Sequence, residues 1–214
     1  MSRLIPYRQG ICIPRHIGLG DPHNPLAVQV SKLAPPRFVH SSSILGGDGG
    51  TKETLQRMRK WWLHDAPYLR KFTGRLVAGL VDNERCAVKD FLCESRKVYD
   101  WVKTNVRWTR DIREHETVQS PVMTLENRFG DCDCLTSLLN AMYNSIGYET
   151  MAVAGDLRPD TNEFSHVWSR VNVPSLGWVS VDPSDPRARF GWESPKGTRR
   201  MTINDDGQIA VVPL

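Results

Sequence analysis

Cys132 lies in the stretch of the chain richest in chemical content, Arg128-Phe129-Gly130-Asp131-Cys132-Asp133-Cys134. Leu135, Leu138, Leu139, Met142 and Ile146 follow at helical spacing, and Gly147 stands where glycine favours the end of a helix. The spacing predicts a helix that starts at or near Cys132. A helix N-terminus carries about half a positive charge and several N–H groups without intrahelical partners. Both favour a thiolate, the nucleophilic form of cysteine. Asp131 and Asp133 oppose it, so they are expected to point away or to be paired. Gly130 is expected to let the backbone approach a substrate closely.

A thiolate nucleophile needs a base or ion-pair partner, and that partner needs an orienting group. Of the six histidines, His16, His23 and His40 fall in an irregular N-terminal stretch, His64 ends a helical run and His115 lies in a charged loop. Only His166 lies within a strand-like run, Phe164-Ser165-His166-Val167-Trp168. The next run, Trp178-Val179-Ser180-Val181-Asp182-Pro183, ends on a carboxylate. If the two runs pair antiparallel, Asp182 can reach the imidazole, fix its tautomer and stabilise imidazolium. A lone cysteine at a helix start and a strand histidine are each more often packing residues, so these features alone leave the reading open.

Taken together, Arg-x-Gly-Asp-Cys-Asp, the amphipathic helix ending in Gly-Tyr, Ser-His-Val-Trp and Gly-Trp-Val-x-Val-Asp-Pro resemble the transglutaminase-like superfamily. The resemblance covers about residues 85 to 192. It implies an α+β fold with a papain-like core and a Cys–His–Asp triad in this chain order. The separations of 34 residues from Cys132 to His166 and 16 from His166 to Asp182 suit it. Carried over position by position, Cys132 is the nucleophile, His166 the base and Asp182 the orienting acid, with no cofactor and no metal. The match is closest to short transglutaminase-like proteins of tailed bacteriophages, where the cysteine often stands in Gly-Asp-Cys-Asp-Asp. This chain departs from that pattern by placing Cys134 at the last position. Two residues turn about 200° around a helix, so Cys134 is expected to face away and pack. The superfamily also places an oxyanion donor before a short helix upstream of the cysteine. Gln119 is the candidate there, and the Trp108 indole N–H is the second.

The chemistry so implied is acyl transfer at an amide through a thioester, with peptide or amide hydrolysis as the favoured outcome. Cross-linking to an amine and a purely structural use of the fold in a virion are the alternatives. A zinc site of Cys86, Cys93, Cys132 and Cys134 fits poorly. Its pairs have six and one intervening residues rather than two to four.

The elements that must position these residues are legible in outline. Leu55, Met58, Trp62 and Leu63 mark a helix from Thr51 to His64, and Pro67 opens a second with Leu69, Phe72, Leu76 and Leu80 inward. A third runs from about Cys86 to Asn105 with Val88, Phe91, Leu92, Val98, Trp101 and Val102 inward. Val106 to Thr109 reads as a short strand, and a polar loop with Pro121 follows. Strands are expected at 150–154, 165–173 and 177–182, separated by Arg158-Pro159-Asp160 and Pro174-Ser175-Leu176-Gly177. Residues 1–50 are different: Pro6, Pro14, Pro22, Pro25, Pro35 and Pro36 and a glycine-rich end make an extended arm with a flexible joint at 46–50. Ile11, Ile13, Leu26, Val28, Val30, Leu33 and Val39 need cover, so the arm is expected to dock on a partner such as a virion protein. The domain proper is then 51–214, with a helical lead-in to 105, a catalytic core over 106–192 and a tail over 193–214.

Composition sets the bounds. With 214 residues, 40% hydrophobic and 24% charged, the chain is one globular domain with an extension rather than a disordered polymer. No apolar run reaches the roughly 18 residues of a membrane span. The first residues lack a signal-peptide core, so export by that route is not expected, and a phage virion or host cytoplasm is the implied location. Five cysteines cannot all pair, and free thiols are the default reading. The formal charge of +4 divides into +3 over 1–50, +6 over 51–115 and −5 over 116–214. The basic residues are interleaved with acids and form no long run, which argues for solvated helix faces rather than nucleic-acid binding.

Overall fold

The computed structural model describes residues 4–6, 12–14, 39–43, 47–111, 115–158 and 163–213. The arm positions Ile11, Leu26, Val28, Val30 and Leu33, Gly46 of the expected joint and part of the expected turn at 158–160 lie outside them, as do the side chains of all other residues before 47.

Helix α1 (Gly47–Val77) is a single helix, where the sequence predicts two. Proline lacks the N–H of one helical bond and tends to kink or break a helix. Pro67 is nevertheless exposed inside α1, while Leu55, Met58, Trp62, Asp65, Ala66, Leu69, Phe72 and Leu76 keep one buried stripe through it. Burial of that stripe along α4 (Cys132–Ser145) outweighs one missing hydrogen bond. Gly47 to Gly50 form the first turn of α1 rather than a joint. Leu63, expected inward beside Trp62, sits off the stripe and is exposed.

Helix α2 (Phe91–Asn105) starts later than expected because Asp90 caps it, accepting from the Cys93 N–H at 3.0 Å. Leu80 and Val88 lie in the connection between α1 and α2, and Leu92 in the first turn of α2; all three are exposed rather than inward. Cys86 and Cys93 form a disulfide across this start, which corrects the expectation of free thiols and removes two ligands from the zinc alternative. Strand β4 (Arg107–Trp108) follows, and helix α3 (Pro121–Asn127) lies where the residue pattern reads a loop and the family resemblance implies a short helix. Proline at the first position suits a helix start. The cap comes from afar: the buried Asp65 carboxylate of α1 accepts the Val122 N–H at 3.0 Å.

The main sheet has the order β11-β10-β7-β8-β9, all antiparallel. It comprises β7 (Thr150–Gly155), β8 (His166–Val173), β9 (Gly177–Val181), β10 (Arg199–Asn204) and β11 (Ile209–Pro213). Alternate residues point to opposite faces of a strand. Ala152, Ala154, Val167, Val171, Val173, Val181, Met201 and Ile203 accordingly join the helices in one core. The stretch 199–213, read from sequence as tail, supplies two strands of this sheet.

Smaller pairings complete the molecule. Strands β1 (Leu4–Pro6) and β2 (Cys12–Pro14) form an antiparallel pair, and β3 (Val39–Ser43) pairs antiparallel with β5 (His115–Gln119). Short β6 (Phe129–Gly130) runs parallel to β4 and leads into α4. Helices on an antiparallel sheet make the fold α+β, as the motifs imply. Among the described residues no helix is long and apolar enough to cross a membrane.

Candidate active site

Helix α4 begins at Cys132 because Asp131 is its N-cap, its Oδ1 accepting the Cys134 N–H at 3.0 Å. Asp131 is thus spent on the helix, as its sequence position requires. Asp133 does not turn away. It is buried, and its Oδ1 lies 3.6 Å from the Cys132 sulfur, close enough to accept the S–H. A carboxylate there favours the protonated thiol, so deprotonation needs a base. Cys132 itself is half-buried and free of any disulfide.

Cys134, two residues on, meets a different environment. It is buried, its sulfur accepting the Gln119 N–H at 3.4 Å and donating to the Thr117 carbonyl at 3.3 Å. Burial, then the nearby Asp131 charge, push its thiol well above the usual range. Gly130 makes this packing possible: a Cβ there would collide with the Cys134 Cβ. The glycine therefore clears space for Cys134, where the sequence reading gave it to a substrate.

His166 and Asp182 come together as their runs predict. His166 opens β8, Asp182 follows β9, and His166 Nε2 lies 2.7 Å from Asp182 Oδ2. Asp182 Oδ1 also accepts the Ser184 hydroxyl at 2.7 Å and the N–H groups of Ser184 and Asp185 at 3.0 and 3.2 Å. Burial opposes ionisation of Asp182, yet the His166 contact and these donors hold its carboxyl below the ordinary range. Tyr99 of α2 braces the same turn, donating to the carbonyls of Asp182 and Ala188 at 3.3 and 3.0 Å. With Nε2 taken by the carboxylate, Nδ1 is the ring nitrogen left for a proton acceptor role.

The helix and strand run in step. Asn140 of α4 bonds Ser169 of β8, and one turn earlier Thr136 Oγ1 donates to the Val167 carbonyl at 3.3 Å. Cys132 is one further turn toward the helix start, and His166 is the residue before Val167. The start of α4 and the start of β8 therefore lie at the same end of the molecule.

Of the two oxyanion candidates, Gln119 is buried at the end of β5, and its Oε1 accepts from Asn127 of α3 at 3.0 Å. That bond orients the carboxamide and leaves its NH2 group as the donor. Trp108 is 48% exposed and stands opposite Gly130 in the β4–β6 pair, the residue directly before the Asp131 cap of α4. Asp131, Cys132 and Asp133 bring potential metal-binding atoms within 4.8 Å of one another, but Asp131 is already committed to its cap.

The sequence reading gave Trp168 no role beyond its place in the Ser-His-Val-Trp motif, and it missed Arg200 beside this site. The His166 and Trp168 rings stack at 6.0 Å between centroids and 25° between planes, and the Arg200 guanidinium lies 5.0 Å from the Trp168 ring. The alternation in Arg199-Arg200-Met201-Thr202-Ile203 and the Asp205-Asp206-Gly207 turn could have signalled the β10–β11 hairpin that carries Arg200.

The transglutaminase-like superfamily model matches residues 75–183, just over half of the chain, and the chain belongs to that superfamily. No curated protein matches it. Solved structures with similar folds include a protein of Parabacteroides distasonis described as a putative protease, at 16% identity and a TM-score of 0.48, covering 74% of this chain and 30% of that one. A Cytophaga hutchinsonii protein described as a putative cysteine protease has 12% identity and a TM-score of 0.43, covering 75% of this chain and 56% of that one. The Rad4–Rad23 complex bound to a 6-4 photoproduct UV lesion has 11% identity and a TM-score of 0.38, covering 79% and 49%. This chain spans less than two thirds of each of these proteins, and no activity or partner passes from them to it.

Proposed function

We propose that the protein is a cysteine-nucleophile enzyme that cleaves an amide through a thioester, with hydrolysis of a peptide or side-chain amide as its outcome. The observation that carries this reading is the His166–Asp182 pair, with Nε2 on the carboxylate at 2.7 Å, at the end of the molecule where α4 presents Cys132, half-buried and not in a disulfide. In the proposed cycle His166 takes the Cys132 proton at Nδ1, while Asp182 stabilises the imidazolium. The thiolate attacks the amide carbon, a C–S bond forms and the carbonyl π pair moves to oxygen. The Cys132 N–H and the Gln119 carboxamide, with Trp108 as the second candidate, are the proposed donors to that oxyanion. Collapse breaks the C–N bond, and His166 protonates the leaving amine. Water then gives a proton to His166 as it attacks the thioester, and departure of sulfur releases the acid and regenerates the enzyme.

A primary amine in place of water would give cross-linking by the same steps. The proposed setting is a tailed-phage protein, on the Gly-Asp-Cys-Asp motif, with the N-terminal arm docking on virion proteins. The Cys86–Cys93 disulfide favours the virion over a reducing host cytoplasm. The test is to incubate the protein with peptide and glutamine-amide libraries, with and without an added alkyl amine, and to follow products and the enzyme by intact mass. The reading expects an acyl adduct on Cys132 and a free acid product. An amide product with the added amine would shift it to cross-linking. No adduct on Cys132 with any substrate class, in a folded protein, would favour the structural alternative.

A further inference from the structure

Three residues stand in one row across the sheet. Arg200 of β10 is opposite Gly155 of β7, and Gly155 is opposite His166 of β8. Neighbouring strands lie about 4.8 Å apart, so the two outer residues are separated by one strand whose residue has no side chain. Trp168, two residues along β8 from His166 and on its face, lays its indole over that gap. A Cβ on Gly155 would sit 2.8 Å from Trp168 Cζ3 and 2.9 Å from Cη2. The indole stacks with the His166 imidazole, and the Arg200 guanidinium lies over its ring.

Trp168 is 2% exposed, and no hydrogen bond from its side chain fixes it there: the indole N–H has no partner among the described residues. Arg200, in contrast, is held through its two terminal nitrogens, while its Nε makes no hydrogen bond among the described residues. It is 4% exposed and donates to the carbonyls of Arg199, Ser194 and Lys196 at 3.1, 3.0 and 2.7 Å. The carboxylates of Asp156 and Glu193 each lie 3.7 Å from it. Asp156 is anchored in turn by the Thr198 hydroxyl at 2.6 Å and by the N–H groups of Thr198 and Arg199. A guanidinium with this many fixed partners is a rigid plane, and a plane of positive charge attracts the face of an indole.

We propose that Arg200 is a positioning residue for His166, acting through Trp168: it clamps the indole over Gly155, and the indole sets the ring plane in which Nε2 meets Asp182 and Nδ1 is left toward Cys132. The inference rests on the reading of His166 as the base for Cys132. Arg200 lies beyond residues 75–183, the part of the chain that matches the superfamily model. Besides Asp182, the charged groups around the stack are Asp185 near His166, and Asp156, Glu193 and Arg199 near Arg200.

The experiment uses the full chain and two readouts, with thermal melts confirming the fold. Two-bond proton–nitrogen correlations of the His166 imidazole report its tautomer, and iodoacetamide alkylation from pH 5 to 9 reports Cys132. Arg200→Lys keeps the charge beside Asp156 and Glu193 but loses the plane; Arg200→Met loses both. Trp168→Leu removes the ring while leaving the charges, and Trp168→Phe keeps a ring. The expected result is a single Nε2–H tautomer in the wild type and in Trp168→Phe. Mixed tautomers are expected in Arg200→Lys, Arg200→Met and Trp168→Leu, with Cys132 alkylation at neutral pH slowed about tenfold or more. A wild-type imidazole pattern in folded Arg200→Lys and Trp168→Leu would overturn the proposal. If the pattern changes while Cys132 alkylation does not, the positioning stands and the pairing of Cys132 with His166 is what fails.

Discussion

The two sides of the α4 terminus carry the same chemical group in opposite conditions. Cys132 and Cys134 share one helix start, one dipole and the same neighbouring aspartates. Cys134 is sealed against β5, with its sulfur engaged by Gln119 and Thr117 and its thiol pushed up by burial. Cys132 is half-buried, at the end of α4 that lies beside the start of β8. Proximity to a helix dipole therefore does not distinguish the two thiols here; burial does.

The largest effect that could break this contrast is loss of the nucleophile. Cys132→Ala is expected to abolish acyl transfer with the fold intact, whereas Cys134→Ala should retain it. Peptide mapping after iodoacetamide at neutral pH should find Cys132 labelled first in the native protein. Labelling of Cys134 ahead of Cys132 would reverse the assignment.

Next comes the acid behind the base. Asp182→Asn is expected to lower kcat by about 10³–10⁴-fold, the scale seen when a triad carboxylate is neutralised. Circular dichroism should show a folded variant. Activity within a few-fold of wild type would mean that Asp182 only braces its own turn.

The sealed side can be probed through Gly130. Gly130→Ala places a methyl against the Cys134 Cβ, and overpacking of this kind costs about 1–3 kcal/mol. Urea titration measures the cost, and Cys134 should become easier to alkylate as the contact opens. Unchanged stability and an inert Cys134 would show that the terminus can shift to absorb the methyl.

The smallest effect is in pH. Asp182 is held below the ordinary carboxylate range, and Asp156 is pushed down to about 2 by hydrogen bonds from Thr198 and Arg199 that overcome its burial. A depressed folded value means stability that is present above the unfolded value near 4 and lost as pH falls through the folded one. Urea midpoints should therefore decline from pH 4 toward pH 2, and Asp156→Asn should show a shallower decline. Equal slopes in the two proteins would remove Asp156 from the acid response.

Much of the site was legible because its signals are local or nearly so. The start of α4 follows from Asp131 and the apolar period after it. The meeting of His166 with Asp182 follows from two adjacent strands joined by a three-residue turn, where antiparallel pairing is the expected outcome. Other features depend on neighbours far away in the chain. Pro67 reads as a helix start, and only burial of the stripe around it keeps α1 continuous. Asp133 facing the thiol and Gly130 serving Cys134 depend on how α4 seats against β5 and β6.

By itself the sequence determined where α4 and strands β7 to β9 lie, the order of thiol, imidazole and carboxylate along the chain, and the family they match. Propensity, capping and periodicity act within a few residues, and each of these features is set at that range. The tertiary structure decided which of two thiols stays open, which carboxylate caps α3, and that Arg200, Gly155 and His166 share a row. Strand register and helix seating decide those, and both are set by burying one face of the sheet against the helices, a free energy that belongs to the assembled core rather than to any one segment.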